Sequence, residues 1–202
     1  KDIKFDTNNL LHRVYKDASN YSHVEKFDGT SWISIGNSIS TGGPNPNISL
    51  DFDNNGVVYL AYKSASWPNN VNLVKYDGSN WIPVGSIPLS LGSAANRSIF
   101  IDIDNNNVPY IGVCHGSNAS VMKFDGSQWI FLGSPNFGNM YGTNTISHFA
   151  FNLDNNGVPH LAFREGVDYN GSVMIFGTYG CLDSLSINYD STANYDDGSC
   201  IP

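Results

Sequence analysis

Leu50 to Tyr62 reads LDFDNNGVVYLAY, and this stretch decides the architecture. Apolar residues alternate on either side of Asp53-Asn54-Asn55-Gly56, the pattern of two half-buried strands joined by a tight turn. Asp53 is expected to open the turn by accepting a backbone N–H two residues on, and Gly56 to supply the positive φ of a bulged hairpin. The block recurs at Ile3 to Tyr15 (IKFDTNNLLHRVY), Ile101 to Val113 (IDIDNNNVPYIGV) and Phe151 to Phe163 (FNLDNNGVPHLAF). A second block, Phe/Tyr-Asp-Gly-x-x-Trp between short apolar runs, alternates with it at Val24 to Gly36, Val74 to Gly85 and Val121 to Gly133, with a degenerate echo at Val173 to Phe176.

Two hairpins per repeat make a four-stranded antiparallel unit, here called strands A to D. The turn aspartates Asp6, Asp53, Asp104 and Asp154 follow one another after 47, 51 and 50 residues. Four strands at such a period are the mark of a β-propeller blade. The fold class is therefore all-β, a propeller of four-stranded blades followed by a small disulfide-closed module. The division expected is repeats at 1–46, 47–96, 97–145 and 146–179, the last lacking strand D, and a module at 180–202. Such an array is completed either by earlier blades or by a second copy, and the ragged start favours earlier blades. The turn aspartates, with Asp28, Asp77 and Asp125, are assigned to turn geometry before any metal or catalytic role. Trp32, Trp81 and Trp129 open strand D and are expected to pack between blades.

Composition agrees. Charged residues are 14% and aromatics 13% of 202 residues, and Gly, Asn, Ser and Asp punctuate short apolar runs. A net charge of -8 with ten scattered basic residues argues against nucleic acid as a partner. No run reaches the ~18 apolar residues of a membrane span. Lys1 to Lys4 does not resemble a signal peptide, so an export signal is expected upstream.

Near the C-terminus, CLDSLSINYDSTANYDDGSC carries four Asp and no Lys or Arg. Cys181 and Cys200 bracket it, and a disulfide between them would contribute about 3 kcal/mol to a segment with little core. Oxygens of Asp183, Asn188, Asp190, Asp196 and Asp197 could chelate calcium, but the spacing is not that of an EF-hand and plain Asx turns are the leading reading. Cys114 ends a predicted strand B and reads as a small buried hydrophobe.

The first hairpin resembles repeats of secreted bacterial propellers. The second is similar to the sialidase Asp-box, but Gly29 directly follows Asp28, so the box spacing is broken and sialidase chemistry is not implied. Gly180, Cys181, Asp183, Asn188, Tyr189, Ala193 and Asp196 to Cys200 resemble a module found near the C-termini of secreted Bacteroidetes proteins, with Ser186 departing where Ala is usual. That resemblance implies export, commonly by the type IX route, with a sorting domain beyond Pro202 and secretion machinery as a partner.

A–B and C–D turns repeat nearly verbatim, whereas B–C and D–A loops vary, so specificity is expected in the variable loops. The candidate ligand-binding residues are Tyr21, Trp67, His115, Phe137, Tyr141, Arg164, Glu165, Asp168 and Tyr169, aromatic faces with a few charges suited to a glycan or a surface protein. No paired acids or oriented nucleophile stand out, and His12 and His160 share a strand position with Tyr59 and Tyr110 that reads as packing. The leading expectation is an extracellular or cell-surface binding or adhesion protein that is not an enzyme and needs no cofactor. The alternatives are a secreted polysaccharide hydrolase or lyase with catalytic residues mostly outside this segment, and a structural spacer.

Overall fold

A computed structural model describes residues 1–41, 48–64, 70–89, 97–115, 118–137, 147–165, 170–191, 193, 195–196 and 198–202. Their regular structure is entirely strand. Blade 1 holds β1 (Asp2–Phe5), β2 (Leu11–Lys16), β3 (Tyr21–Phe27) and β4 (Trp32–Ser34) in spatial order, and β5 (Ile39–Ser40) also pairs with β3. Blade 2 holds β6 (Ile48–Phe52), β7 (Val58–Lys63), β8 (Val71–Tyr76) and β9 (Trp81–Pro83). Blade 3 holds β10 (Arg97–Ile103), β11 (Pro109–His115), β12 (Asn118–Phe124) and β13 (Trp129–Phe137). Blade 4 has three strands, β14 (Ser147–Leu153), β15 (Pro159–Glu165) and β16 (Asn170–Ile175). All four sheets are antiparallel, the meander of a propeller blade.

The turns form as the aspartate spacing predicts. Asp53 Oδ1 accepts the N–H groups of Asn55 and Val57, each at 2.9 Å, and Gly56 sits at φ 75°. Asp6, Asp104 and Asp154 each accept two backbone N–H groups in the same way. Asp28 does so in the second hairpin, and the N–H groups of Ser31 and Thr30 hold its carboxyl down at about 2. These oxygens are committed to turns.

Each inner blade buries both faces of its sheet. The forward face of blade 1 (Val14, Val24) meets the rear face of blade 2 (Ile48, Leu50, Leu60, Val74). The forward face of blade 2 (Tyr59, Ala61, Leu73) meets the rear face of blade 3 (Ile101, Ile111, Met122, Trp129), and blade 3 meets blade 4 through Val121 and Cys114 against Phe151, Leu161 and Phe163. Every residue of β6 is therefore buried, although alternate side chains point opposite ways. Burial also pushes the Cys114 thiol up to about 11, in keeping with a small hydrophobe.

Hydrogen bonds run from blade to blade along the innermost strands. Asp51 Oδ2 accepts from Ile103 N at 2.8 Å, and Asp102 Oδ2 accepts from Leu153 N at 2.7 Å. In blade 1 the place of Asp51 is taken by Lys4, whose Nζ lies 2.7 Å from Asp51 and 3.9 Å from Asp102. The turn tips form a second series: Asn54 Nδ2 donates to Asn105 O, and Asn105 Nδ2 donates to Asn155 O. Trp81 Nε1 reaches back to Asn37 O and Trp129 Nε1 to Val84 O, which bears out the interblade role expected of these two tryptophans.

After Phe176 the chain leaves the blades. β17 (Tyr179–Gly180) pairs in parallel with β18 (Tyr195–Asp196), and Cys181 and Cys200 form the disulfide. Asn188 closes this segment, donating to Ser199 O and accepting from Ile201 N.

Gly85, at φ 65°, is the seat of the Trp129 ring: a Cβ there would lie 2.6 Å from Phe124 Cε2 and 3.1 Å from Trp129 Nε1. Gly85→Ala is expected to cost about 1–3 kcal/mol by chemical denaturation, through backbone strain and overpacking together. Desolvation by burial pushes the Asp51 carboxyl up to about 7 against the pull of Lys4, and a hydrogen bond with Asp102 adds to the rise. Because the folded value exceeds that of the unfolded chain, the contribution of Asp51 is full below about pH 4 and lost as pH rises through about 7. The thermal midpoint of the natural chain minus that of Asp51→Asn is expected to fall across this window and level off above it; a constant difference would contradict the assignment.

Candidate functional site

Repeat register exposes one blade as different. Leu60, Ile111 and Leu161 hold the same strand B position and are fully buried against the preceding blade. Beside them on strand C stand Val74, Met122 and Met174. In blade 1 these two positions are Arg13 and Glu25, directly opposite each other on β2 and β3. Apolar patterning thus gives way to an ion pair at the place the other blades use for core. Arg13 stays half-exposed while Glu25 is buried beneath it, so the pair adds little to stability, about 0–1 kcal/mol for an exposed pair.

The pair anchors a network across the rear face of blade 1. Arg13 Nε and one terminal nitrogen donate to Glu25 Oε2 at 2.8 and 2.6 Å, and the Tyr15 hydroxyl donates to Oε1 at 2.9 Å. That bond to a carboxylate raises the Tyr15 pKa. The guanidinium lies 4.0 Å from the Trp32 ring centroid and 5.1 Å from that of Tyr15. Tyr15 stacks on His23 at 5.2 Å, and His23 Nε2 lies 2.9 Å from Asp17 Oδ2. The histidine contact and the backbone N–H of Tyr21 lower the Asp17 pKa.

Beside this network runs an open groove of about 630 Å³ lined by Lys1, Asp2, Ile3, Arg13, Val14, Tyr15 and Lys16. Arg13 carries five N–H donors and spends two on Glu25. Arg13 and Tyr15 line the groove and Glu25 holds both from outside it, so the groove offers a fixed planar donor beside one aromatic ring, equipment for binding adjacent hydroxyls on a ring with an apolar face. Two further clefts, of about 710 and 650 Å³, lie at the A–B and C–D turns of successive blades and are lined by the repeated turn residues themselves, among them Asp104 and Gly126 in one and Asp6 and Gly78 in the other.

Several sequence candidates are placed differently from expectation. Tyr21 opens β3 and is exposed. His115, Arg164, Glu165 and Phe137 were expected in variable loops but lie in strands. His115 pairs with Arg97 and Asn118, Arg164 with Gly171, and Glu165 with Asn170. Phe137 pairs with Ala119 across a register shift that lengthens β13 into the expected D–A loop. Backbone pairing continues past the apolar alternation in each case, which composition alone does not reveal. Trp67, Tyr141, Asp168 and Tyr169 lie outside the described residues. Trp32 also differs from its counterparts: it stacks under Arg13 on the open face rather than between blades.

In the tail, Asp183 accepts from Leu185 N and the Ser186 hydroxyl, and Asp196 accepts from Gly198 N, both as turn formers. Asp197 lies outside the described residues, and among the described ones no group of three or more His, Cys, Asp or Glu is arranged to hold a metal. No described helix is long and apolar enough to cross a membrane.

Arg13 and Glu25 are not among the candidates that the variable loops supply. The signal was available: aligning strand B places Arg13 in a column of Leu and Ile, and Glu25 is one of only two glutamates in the chain.

No family model matches the chain, and no curated protein matches it. Solved structures do. Aleuria aurantia lectin in complex with Fucα1-6GlcNAc superposes with a TM-score of 0.63 at 14% identity, over 88% of this chain and 59% of the lectin. SapL1 lectin in complex with α-methyl fucoside gives 0.62 at 15% identity, over 88% and 63%. An ulvan lyase bound to its polysaccharide unit gives 0.56 at 14% identity, over 86% and 54%. At such identities the likeness is one of fold, and this chain spans about three-fifths of the length of the two lectins.

Proposed function

We propose that this chain is a glycan-binding propeller whose ligand sits in the groove on the rear face of blade 1. The observation that carries the reading is the replacement of two core positions by the Arg13–Glu25 pair beside Tyr15, Trp32 and an open groove. Arg13, held in place by Glu25, engages a pair of neighbouring hydroxyls, and Tyr15 takes the apolar face of the sugar ring. A pair already locked by mutual hydrogen bonds loses little freedom on binding. The fucoside complexes of the two lectins with this fold make α-fucosides the first ligands to try.

The same reading puts the protein outside the cell or on its surface, where a disulfide such as Cys181–Cys200 persists. Residues 1–179 then form the binding unit and 180–202 a link to secretion or anchoring elements. The variable loops, including Tyr21, Trp67, Tyr141, Asp168 and Tyr169, would extend recognition beyond one sugar.

The test is a glycan array followed by calorimetry, with and without EDTA, on the natural chain, Arg13→Ala and Glu25→Gln. Both variants are expected to weaken binding by about tenfold or more, since each removes charge-assisted hydrogen bonds, while the thermal midpoint changes little. Undiminished binding in both would remove the site from blade 1. Polysaccharide turnover in place of retained binding would make the protein an enzyme instead.

A further inference from the structure

Lys26, Lys75 and Lys123, three of the chain's seven lysines, stand 49 and 48 residues apart and hold one position of the repeat. Each lies on strand C directly opposite the second residue of strand B, which is His12, Tyr59 and Tyr110 in turn. Blade stacking therefore gathers charges that are scattered in sequence. The cleft of about 650 Å³ is lined by Lys26 and Lys75, and the cleft of about 710 Å³ by Lys75 and Lys123. Lys75 belongs to both, so the two clefts form one track along the face of the A–B and C–D turns.

Among the described residues none of the three ammonium groups makes an ion pair or a hydrogen bond. The carboxylates that share the clefts are committed to their own turns: Asp77 accepts from the backbone of Ser79 and Asn80, and Asp125 from that of Ser127 and Gln128. Each lysine is half-buried, its stem lying along the sheet and its head toward the cleft. An uncharged stem would cover the same apolar surface, so packing accounts for the length of these side chains and not for their charge.

We propose that this track binds a linear acidic polysaccharide, whose carboxylate or sulfate groups meet Lys26, Lys75 and Lys123 in turn. Charge spacing selects the polymer. Stacked sheets lie ~10 Å apart, so the lysines recur at about the length of a disaccharide. A DNA strand carries a phosphate every ~3.4 Å and would also press against Asp6, Asp77, Asp104 and Asp125, which line the same clefts. A chain with an acidic group on alternate sugars instead brings neutral hydroxyls to those carboxylates, and Tyr76 and Phe124 add half-buried rings beside them. In blade 4 the lysine position is Ile175, opposite His160, and the track ends. Strand alternation puts Lys26 and Arg13 on opposite faces of one sheet, so this site does not rest on the groove of blade 1.

The test titrates the full chain with hyaluronan and κ-carrageenan, which carry a carboxylate or a sulfate on alternate sugars, and with dextran and duplex DNA. At least one of the two acidic polysaccharides is expected to bind, less tightly as salt rises, and dextran is not. Lys75→Gln is expected to weaken binding about fivefold or more, and more than Lys26→Gln or Lys123→Gln, because Lys75 serves both clefts. The thermal midpoints of these variants are expected to stay close to that of the natural chain, and excess α-methyl fucoside is expected to leave the polymer bound. Failure of both acidic polysaccharides to bind, equal binding of dextran, tighter binding of DNA, displacement by the fucoside, or undiminished binding when all three lysines are glutamine would each overturn the proposal.

Discussion

A blade has two apolar faces and can hide neither by itself. This constraint shapes the rest of the molecule. Strand alternation places Leu60 and Ala61 on opposite sides of one sheet, yet both are fully buried, because a neighbouring sheet lies on each side. Burial at ~25 cal/mol per Å² of apolar surface drives that stacking, and no single blade gains it alone. The polar links are secondary. Asp51 to Ile103, Asp102 to Leu153 and the asparagine series align the blades along the inner strands and turn tips, giving the stack its register.

Where the constraint is relaxed, chemistry appears. Blade 1 has no described neighbour on its rear face, and there the strand B and strand C positions that hold Leu60 and Val74 in blade 2 hold Arg13 and Glu25 instead. The scaffold around them is unchanged: the hairpin turns, the facing register and the following tryptophan are those of the other repeats. The proposed site differs from the repeat by two side chains on a backbone already fixed by packing. The aromatic Tyr15 also has a counterpart, Tyr62 in blade 2, but faces solvent with a hydroxyl bonded to Glu25. The proposed site is a local departure from the repeat, and the likeness to lectin and lyase propellers is one of fold.

The hairpins were legible in the sequence. Asp-Asn-Asn-Gly and Asp-Gly-x-x-Trp state their turn geometry through local hydrogen bonds, so the structure realises them residue by residue. Strand ends were harder. Phe137, His115, Arg164 and Glu165 fall in strands because pairing with a neighbour extends them past the apolar pattern, and that pairing is not written in any one strand.

Sequence alone determined the all-β class, the repeat, the missing strand D of blade 4 and the pairing of Cys181 with Cys200, since each rests on local spacing and composition. Tertiary structure decided which faces are covered. Period-two alternation says that Ile3 and Arg13 share a face, but whether that face meets another sheet depends on how blades succeed one another in space. Only in the fold does Arg13 stand out as a charge held between Glu25 and two aromatic rings beside a groove, because only there can its counterparts be seen to be buried.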